Sequence, residues 1–246
     1  MSSLGYVDIG SHKGKSEDGL QDLINSLPNN LTYQIVSGMF PSTHSMSTLQ
    51  LNNRKLYIHG THKLNISTQN VNLNSYIKDL QLGSKLGCSG VVIHVGNYVN
   101  NTSKNGLNNM GINIQKLLEY ASENCPLLLE TPAGQGTELL VDIDLFINFY
   151  NRFRNPNFKL CIDTCHVFEA GYDPYEYIMK IVDKCGLDSI KLIHFNDAKE
   201  PKGSKIDRHA NIGEGHIDYD ILSKIYTWRC DNNINIVLEC GYRLLC

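Results

Sequence analysis

The sequence predicts an α/β fold, a (β/α)8 TIM barrel lacking its final helix, and three observations carry that prediction. Six short apolar runs recur about once per strand–helix unit: KLYIH, GVVIH, PLLLE, LCID, KLIH and IVLE. Each run closes on a residue able to bind a metal, namely His59, His94, Glu130, Asp163, His194 and Glu239, at intervals of 35, 36, 33, 31 and 45 residues. A βαβ unit takes roughly 30 or more residues. The C-terminal ends of parallel barrel strands face one common mouth, so these six side chains are expected in a single pocket. Finally, the 246 residues match the roughly 250 of one such barrel, and residues 1–246 are read as a single domain.

Two strands are expected before these six, GYVDIG around Tyr6–Ile9 and TYQIV at Thr32–Val36. Between strands, apolar residues fall on one helical face. Leu20, Leu23, Ile24 and Leu27 keep i, i+3, i+4, i+7 spacing, with Ser16 as N-cap. Helices are also expected over Tyr76–Leu86, Ile112–Ala121, Leu139–Phe149, Pro174–Val182 and Ile221–Trp228, and the asparagine-rich stretch Asn97–Asn109 reads as a polar loop. The strand runs are mostly unbroken apolar residues, as in buried parallel strands. Only seven residues, Cys240–Cys246, follow the last run, too few for an eighth helix. The outer face of that strand is then covered by another element, covered by a partner or self-association, or left partly open.

Composition narrows the class. A hydrophobic fraction of 41% is enough for a large core, and no apolar run reaches the 18 or so residues of a membrane span. The N-terminus MSSLGYVDIG has no basic region followed by an apolar one, so the chain is expected to be intracellular, not exported, in cytoplasm, nucleus or virion. Its eight cysteines form no CxxC pair and most are expected as reduced thiols, with a Cys240–Cys246 pairing left open by their spacing. The formal charge of −3 does not advertise a polyanion partner. Bound ions would reverse this locally, because three divalent cations outweigh the charge of four carboxylates.

A lone buried histidine is usually a satisfied core residue, and a lone aspartate at a strand end is often an N-cap. Six such groups sharing one mouth are different, because burying them together without a metal is prohibitively costly. Three more residues join them. His166 lies about one helical turn beyond Asp163, and Asp207 and His209 form a D-x-H pair whose side chains point the same way on an extended segment. The expected metal ligands are therefore His59, His94, Glu130, Asp163, His166, His194, Asp207, His209 and Glu239. Mixed imidazole and carboxylate donors suit zinc, with Mn2+ admissible at one position. Nine donors exceed what one or two ions use, so three Zn2+ per chain are expected.

The stretches LLLETPAGQGTEL, CIDTCHVFEAGYD, LIHFNDAKEPKGSKIDRHANIGEGHID and IVLE, with the opening IGSHKG, resemble the endonuclease IV family of apurinic/apyrimidinic endonucleases. The likeness runs from about Ile9 to Glu239. It implies a (β/α)8 barrel with three zinc ions that hydrolyses duplex DNA on the 5′ side of an abasic site, in DNA repair. It also implies that His59, His94 and Glu130 hold one ion, and that Glu130 bridges to a second held by Asp163, His194 and Glu239. The third ion sits on His166, Asp207 and His209. Glu130 and Glu239 are the expected catalytic carboxylates, and the partner is duplex DNA containing abasic sites.

Around these ligands, Lys199, Lys202, Lys205 and Arg208 make a basic loop, either a solvated face or a phosphate contact. Gly134, Gly136, Gly213 and Gly215 mark turns or a close approach of backbone to DNA. Cys165 is expected to pack beside the cluster and not to ligate. Besides the missing terminal helix, two features depart from the family. Ser37–Gln50 carries no Arg or Lys, offering only Phe40 and His44 as ring side chains, and His62 stands where the family commonly has tyrosine. The alternative function is a sugar isomerase or epimerase of the same barrel superfamily, which would use Glu130, Asp163, His194 and Glu239 alone. A second alternative is a non-catalytic, zinc-stabilised DNA-binding module.

Overall fold

Leucine-rich and β-branched runs form one parallel sheet. The computed structural model describes residues 25, 31–37, 50–52, 54–99 and 102–239. Within them β1 (Thr32–Val36), β2 (Lys55–His59), β3 (Gly90–Ile93), β4 (Leu127–Glu130), β5 (Phe158–Asp163) and β6 (Ile190–His194) pair in sequence order, all parallel. Two short segments, β7 (Asp197–Ala198) and β8 (His209–Ala210), form an antiparallel ribbon outside the sheet. Beyond it, β9 (Asn235–Val237) pairs with β6. The ends of this seven-stranded sheet curl toward each other, and the Gln34 Nε2 of β1 donates to Glu239 Oε1, just past β9, at 2.8 Å. The result is a nearly closed barrel.

The strand expected at Tyr6–Ile9, the helix at Leu20–Leu27 and the Ser16 cap lie outside the described residues. So do Phe40, His44 and Cys240–Cys246, and with them the expected loss of the last helix.

Helices form where an apolar face coincides with a good cap. In α1 (Asn74–Leu86), Tyr76, Leu80 and Gly83 lie on one buried stripe. α3 (Ile143–Asn151), α5 (Pro174–Cys185) and α6 (Tyr219–Asp231) each start behind an aspartate, Asp142, Asp173 and Asp218, whose carboxylate accepts first-turn N–H groups. Pro174 stands in the first turn of α5, where its missing N–H costs nothing.

Two expectations need correction. The stretch Asn97–Asn109 is not all loop, because α2 (Ser103–Leu118) begins inside it. Thr102 caps it through Asn105 N–H, and Gly106, Met110 and Asn113 face inward. Asn113 donates its amide to Ile66 O and Thr68 O, so a polar residue is satisfied on a buried face. The segment expected as a helix from Leu139 starts only at Ile143, since Leu140 takes a left-handed φ of 62° before the Asp142 cap.

Strand periodicity positions the site. Tyr57, Val92, Leu128, Cys161, Leu192 and Val237 form one buried cluster, drawn from six strands and separate from the larger core between sheet and helices. This is a layer of the barrel interior. Side chains two residues apart share a strand face, so the next inward positions are His59, His94, Glu130, Asp163, His194 and Glu239. Every one of the six strand-end ligand candidates lies one step above the apolar floor. A one-residue register slip would turn them all outward.

Candidate metal centre

At the C-terminal mouth, the carboxylate of Glu130 stands in the middle. Its Oε2 lies 3.2 Å from His59 Nε2 and 3.0 Å from His94 Nε2, while its Oε1 lies 2.8 Å from His194 Nδ1. One oxygen thus faces one pair of histidines and the other faces a different ring. Glu130, Asp163, His194 and Glu239 bring one donor atom each to within 4.8 Å of one another, and so do His166, Asp207 and His209. His209 Nε2 reaches Asp163 Oδ2 at 3.5 Å, which ties the second group to the third. All nine sequence-predicted ligands are therefore gathered in one site.

Asp163 does two jobs. Its Oδ1 accepts the His166 N–H at 2.9 Å and so caps α4 (Thr164–Glu169), while its Oδ2 faces the donors. The cap puts His166 on the first turn of that helix, where its Nδ1 meets Thr131 O at 2.9 Å and its Nε2 approaches Asp207 Oδ1 at 3.3 Å. His209 Nε2 lies at the same 3.3 Å from Asp207 Oδ1.

Proton affinities follow from this crowding. Burial opposes the charge on Glu130, but His94, His194 and His59 outweigh it and hold the carboxyl well below the usual range. Burial likewise opposes Asp207, yet His166 and His209 bring it down to about 2. Glu239 is lowered too, against its burial, mainly by His194. Conversely, carboxylates raise His166 and His94 despite burial, Asp163 leading for the first and Glu130 for the second. Glu130, Asp207 and Glu239 are thus favoured as anions and His94 and His166 as cations, and metal binding at such a site displaces protons from imidazoles.

The residues present fit metal ions. Four carboxylates and five imidazoles of the expected set converge, a donor mixture suited to zinc. Moreover, His166 Nε2 and His209 Nε2 are buried and make no well-aligned hydrogen bond, each facing Asp207 Oδ1 at 3.3 Å. A buried ring nitrogen without a well-aligned hydrogen bond demands an explanation, and an ion supplies one.

Several site residues escaped sequence reasoning. Gln34 lies inside β1, its Oε1 2.9 Å from His194 Nε2 and its Nε2 donating to Glu239 Oε1. Asn196 donates to Asp163 Oδ2 at 2.8 Å and to Glu239 Oε2 at 3.3 Å, while its Oδ1 accepts the Glu239 N–H at 2.8 Å. Groups of this kind orient ligands. The signal for Gln34 was a lone amide in the apolar run TYQIV; Asn196 had none beyond following His194. His62, seen only as a departure, stacks on His59 with ring centroids 4.7 Å apart and meets His94 edge-on at 4.6 Å. Burial and the two neighbouring imidazoles lower it to about 4.

Lys199, Lys202, Lys205 and Arg208 are all exposed on the loop between β7 and β8 that carries Asp207. Asp197 anchors the following turn, accepting N–H groups from Gly213, Gly215 and Ile217. Gly215 is there because of close approach: a Cβ would sit 2.4 Å from both Ala198 O and Asp197 Oδ1. Gly134, Gly136 and Gly213 have left-handed φ values of 88°, 60° and 82°, which accounts for them as turns. Cys165 is buried and its Sγ lies 3.5 Å from Arg208 O, with burial holding the thiol protonated.

Residues 47–226 match a family profile described as a xylose isomerase-like TIM barrel. The chain is similar to the probable endonuclease 4 of Mycoplasmopsis agalactiae, 32% identical over 190 residues that cover 75% of this chain and 68% of that protein. It is 35% identical over 166 residues to the probable endonuclease 4 of Mycoplasma mobile, a match covering 66% of this chain and 59% of that relative's length. Among solved structures, endonuclease IV from Thermus thermophilus superposes with a TM-score of 0.75 at 19% identity, covering 97% of this chain and 91% of the other. A D-tagatose 3-epimerase-like protein also reaches a TM-score of 0.75, at 18% identity and covering 95% and 88%. At such identities the superpositions speak for the fold alone.

Proposed function

The chain belongs to the endonuclease IV family, within the xylose isomerase-like TIM barrels, and on that premise we propose that it hydrolyses the phosphodiester 5′ to abasic sites in duplex DNA. The products would be a 3′-hydroxyl and a 5′-deoxyribose phosphate. Three zinc ions are the proposed cofactors, Mn2+ being admissible at one position, and base excision repair is the proposed context. The observation that carries the reading is the split of Glu130, Oε2 toward His59 and His94 and Oε1 toward His194.

In this proposal His59, His94 and Glu130 hold one ion, Glu130, Asp163, His194 and Glu239 a second, and His166, Asp207 and His209 a third. Clustered divalent ions supply a water of lowered pKa and stabilise a departing oxygen, the two needs of phosphodiester hydrolysis at neutral pH. The chain's own residues do the rest. Gln34 and Asn196 fix the orientation of His194, Asp163 and Glu239. Lys199, Lys202, Lys205 and Arg208 offer exposed cations to flanking phosphates. No side-chain nucleophile is called for, and the protonated, buried Cys165 is unsuited to be one.

A sugar epimerase would use Glu130, Asp163, His194 and Glu239 and leave the other five donors without a task. The two readings separate on a duplex with one tetrahydrofuran abasic analogue, which cannot undergo β-elimination. A cut 5′ to the analogue, ending in a 3′-hydroxyl, supports the nuclease. An intact duplex alongside proton exchange at C3 of a ketose supports the epimerase, and tight binding without a cut supports the DNA-binding module.

A further inference from the structure

The loop after β2 adds an imidazole to the first metal position. His62 follows His59 by three residues, and the segment holding it is tied down on both sides. The Tyr76 hydroxyl lies 3.1 Å from Thr61 O and 3.4 Å from Leu64 O, so a buried side chain of α1 holds the carbonyls flanking His62. Gly60 donates its N–H to Val92 O at 2.7 Å, and any Cβ there would meet Tyr76 Cε1 at 2.6 Å. The backbone position of His62 is therefore set by these contacts.

With its backbone so held, the ring lies against the faces and edges of two ligand candidates, 4.7 Å from His59 and 4.6 Å from His94 between centroids. One nitrogen from each of His59, His62 and His94 falls within 4.8 Å of the other two. Among the described residues the His62 ring makes no hydrogen bond. Neutral imidazole is the metal-binding form, and three ring nitrogens this close, with Glu130 Oε2 beside two of them, can share one cation.

We propose that His62 is a metal ligand, completing a site of three imidazoles with Glu130 at the first position. The inference rests on the metal-centre reading above. Three nitrogens and one carboxylate oxygen make a four-donor set, as in closed zinc sites, where catalytic sites usually keep three protein donors and an open place. His62 is the most exposed residue of the trio although its ring packs on the other two, so it is the member most easily exchanged. Its contribution is to retain the ion when no DNA is bound.

The test uses full-length protein, His62→Ala, His62→Tyr and a His59→Ala control, each loaded with zinc and dialysed against graded chelator. Metal content is read by mass spectrometry, and a cobalt-substituted series is read by its visible absorption. The proposal expects the His62 variants to lose one ion per chain at chelator concentrations about tenfold or more below wild type, on the order of what disturbed metal shells cost. His59→Ala should lose that same ion, and the cobalt band should weaken in His62→Ala as a nitrogen donor is replaced by water. Wild-type retention and an unchanged cobalt band in both His62 variants would overturn the proposal and leave the metal centre standing. A wild-type protein that takes up no ion sensitive to His59→Ala would overturn both.

Discussion

Gln34 Oε1 sits 2.9 Å from His194 Nε2, and this contact turns the opposite ring nitrogen, Nδ1, toward Glu130 Oε1 at 2.8 Å. The same amide donates to Glu239. One residue of β1 thereby orients two ligand candidates from β6 and the end of β9. Gln34→Ala is expected to keep the fold but lower metal affinity or activity about 10- to 100-fold, the usual cost of removing an outer partner of a metal ligand. Zinc titration with a competing chelator checks it.

Asp197 holds the loop that leads away from His209. Its two oxygens accept backbone N–H groups of Ala198, Gly213, Gly215 and Ile217 between 2.8 and 3.0 Å. Asp197→Ala leaves these donors unpaired in a buried or half-buried setting, at a cost on the order of 3 kcal/mol. For a chain of this size that lowers Tm by roughly 6–12 °C, readable by calorimetry. Asp197→Asn, which keeps one acceptor oxygen, should lose about half as much.

Asp79 on α1 is 6% exposed; its Oδ1 accepts from Ser37 Oγ at 2.9 Å and its Oδ2 has no hydrogen-bond partner. Burial raises it from 3.8 to about 6, against the Ser37 hydrogen bond and the nearby His59. The folded protein therefore binds this proton more tightly than the unfolded chain does. The stability this contributes is fully present below pH 3.8 and is lost as pH rises through about 6, by an amount on the order of 3 kcal/mol. Asp79→Asn should melt higher than wild type at pH 8, with the gap closing toward pH 4. Denaturant titrations at both pH values check the sign.

The basic loop gives a binding prediction. Lys202 and Lys205 are exposed. If they neutralise phosphates, the double charge reversal Lys202→Glu with Lys205→Glu weakens duplex binding and lowers the slope of log K against log salt by about 2. Fluorescence anisotropy across a salt series measures it, and an unchanged slope would remove these lysines from the DNA contact.

The strand-end ligands were legible because two regularities coincide. Strand alternation puts every second residue in the barrel, and the apolar floor of Tyr57, Val92, Leu128, Cys161, Leu192 and Val237 lies two residues before each of the six ligands. Such a pattern is local and shows in the sequence. Gln34 and Asn196 were not legible, because their roles come from which side chain faces them across the barrel. The start of α2 was misread because asparagine and glycine signal loops, whereas the Thr102 cap and burial of Gly106, Met110 and Asn113 decide the outcome. His62 stood out only against a family pattern; its place beside His94 is a tertiary fact.

The most direct test of the central claim is single-turnover incision of a duplex carrying one tetrahydrofuran site. Chelator-stripped protein resupplied with zinc is set beside the same protein without metal and beside zinc-loaded Glu239→Ala. The account predicts a zinc-dependent cut on the 5′ side with a 3′-hydroxyl end, slowed by about a hundredfold or more in the variant as one ligand of the shared site is lost. No cut by folded, zinc-loaded wild-type protein, or an equal rate in Glu239→Ala, would contradict it.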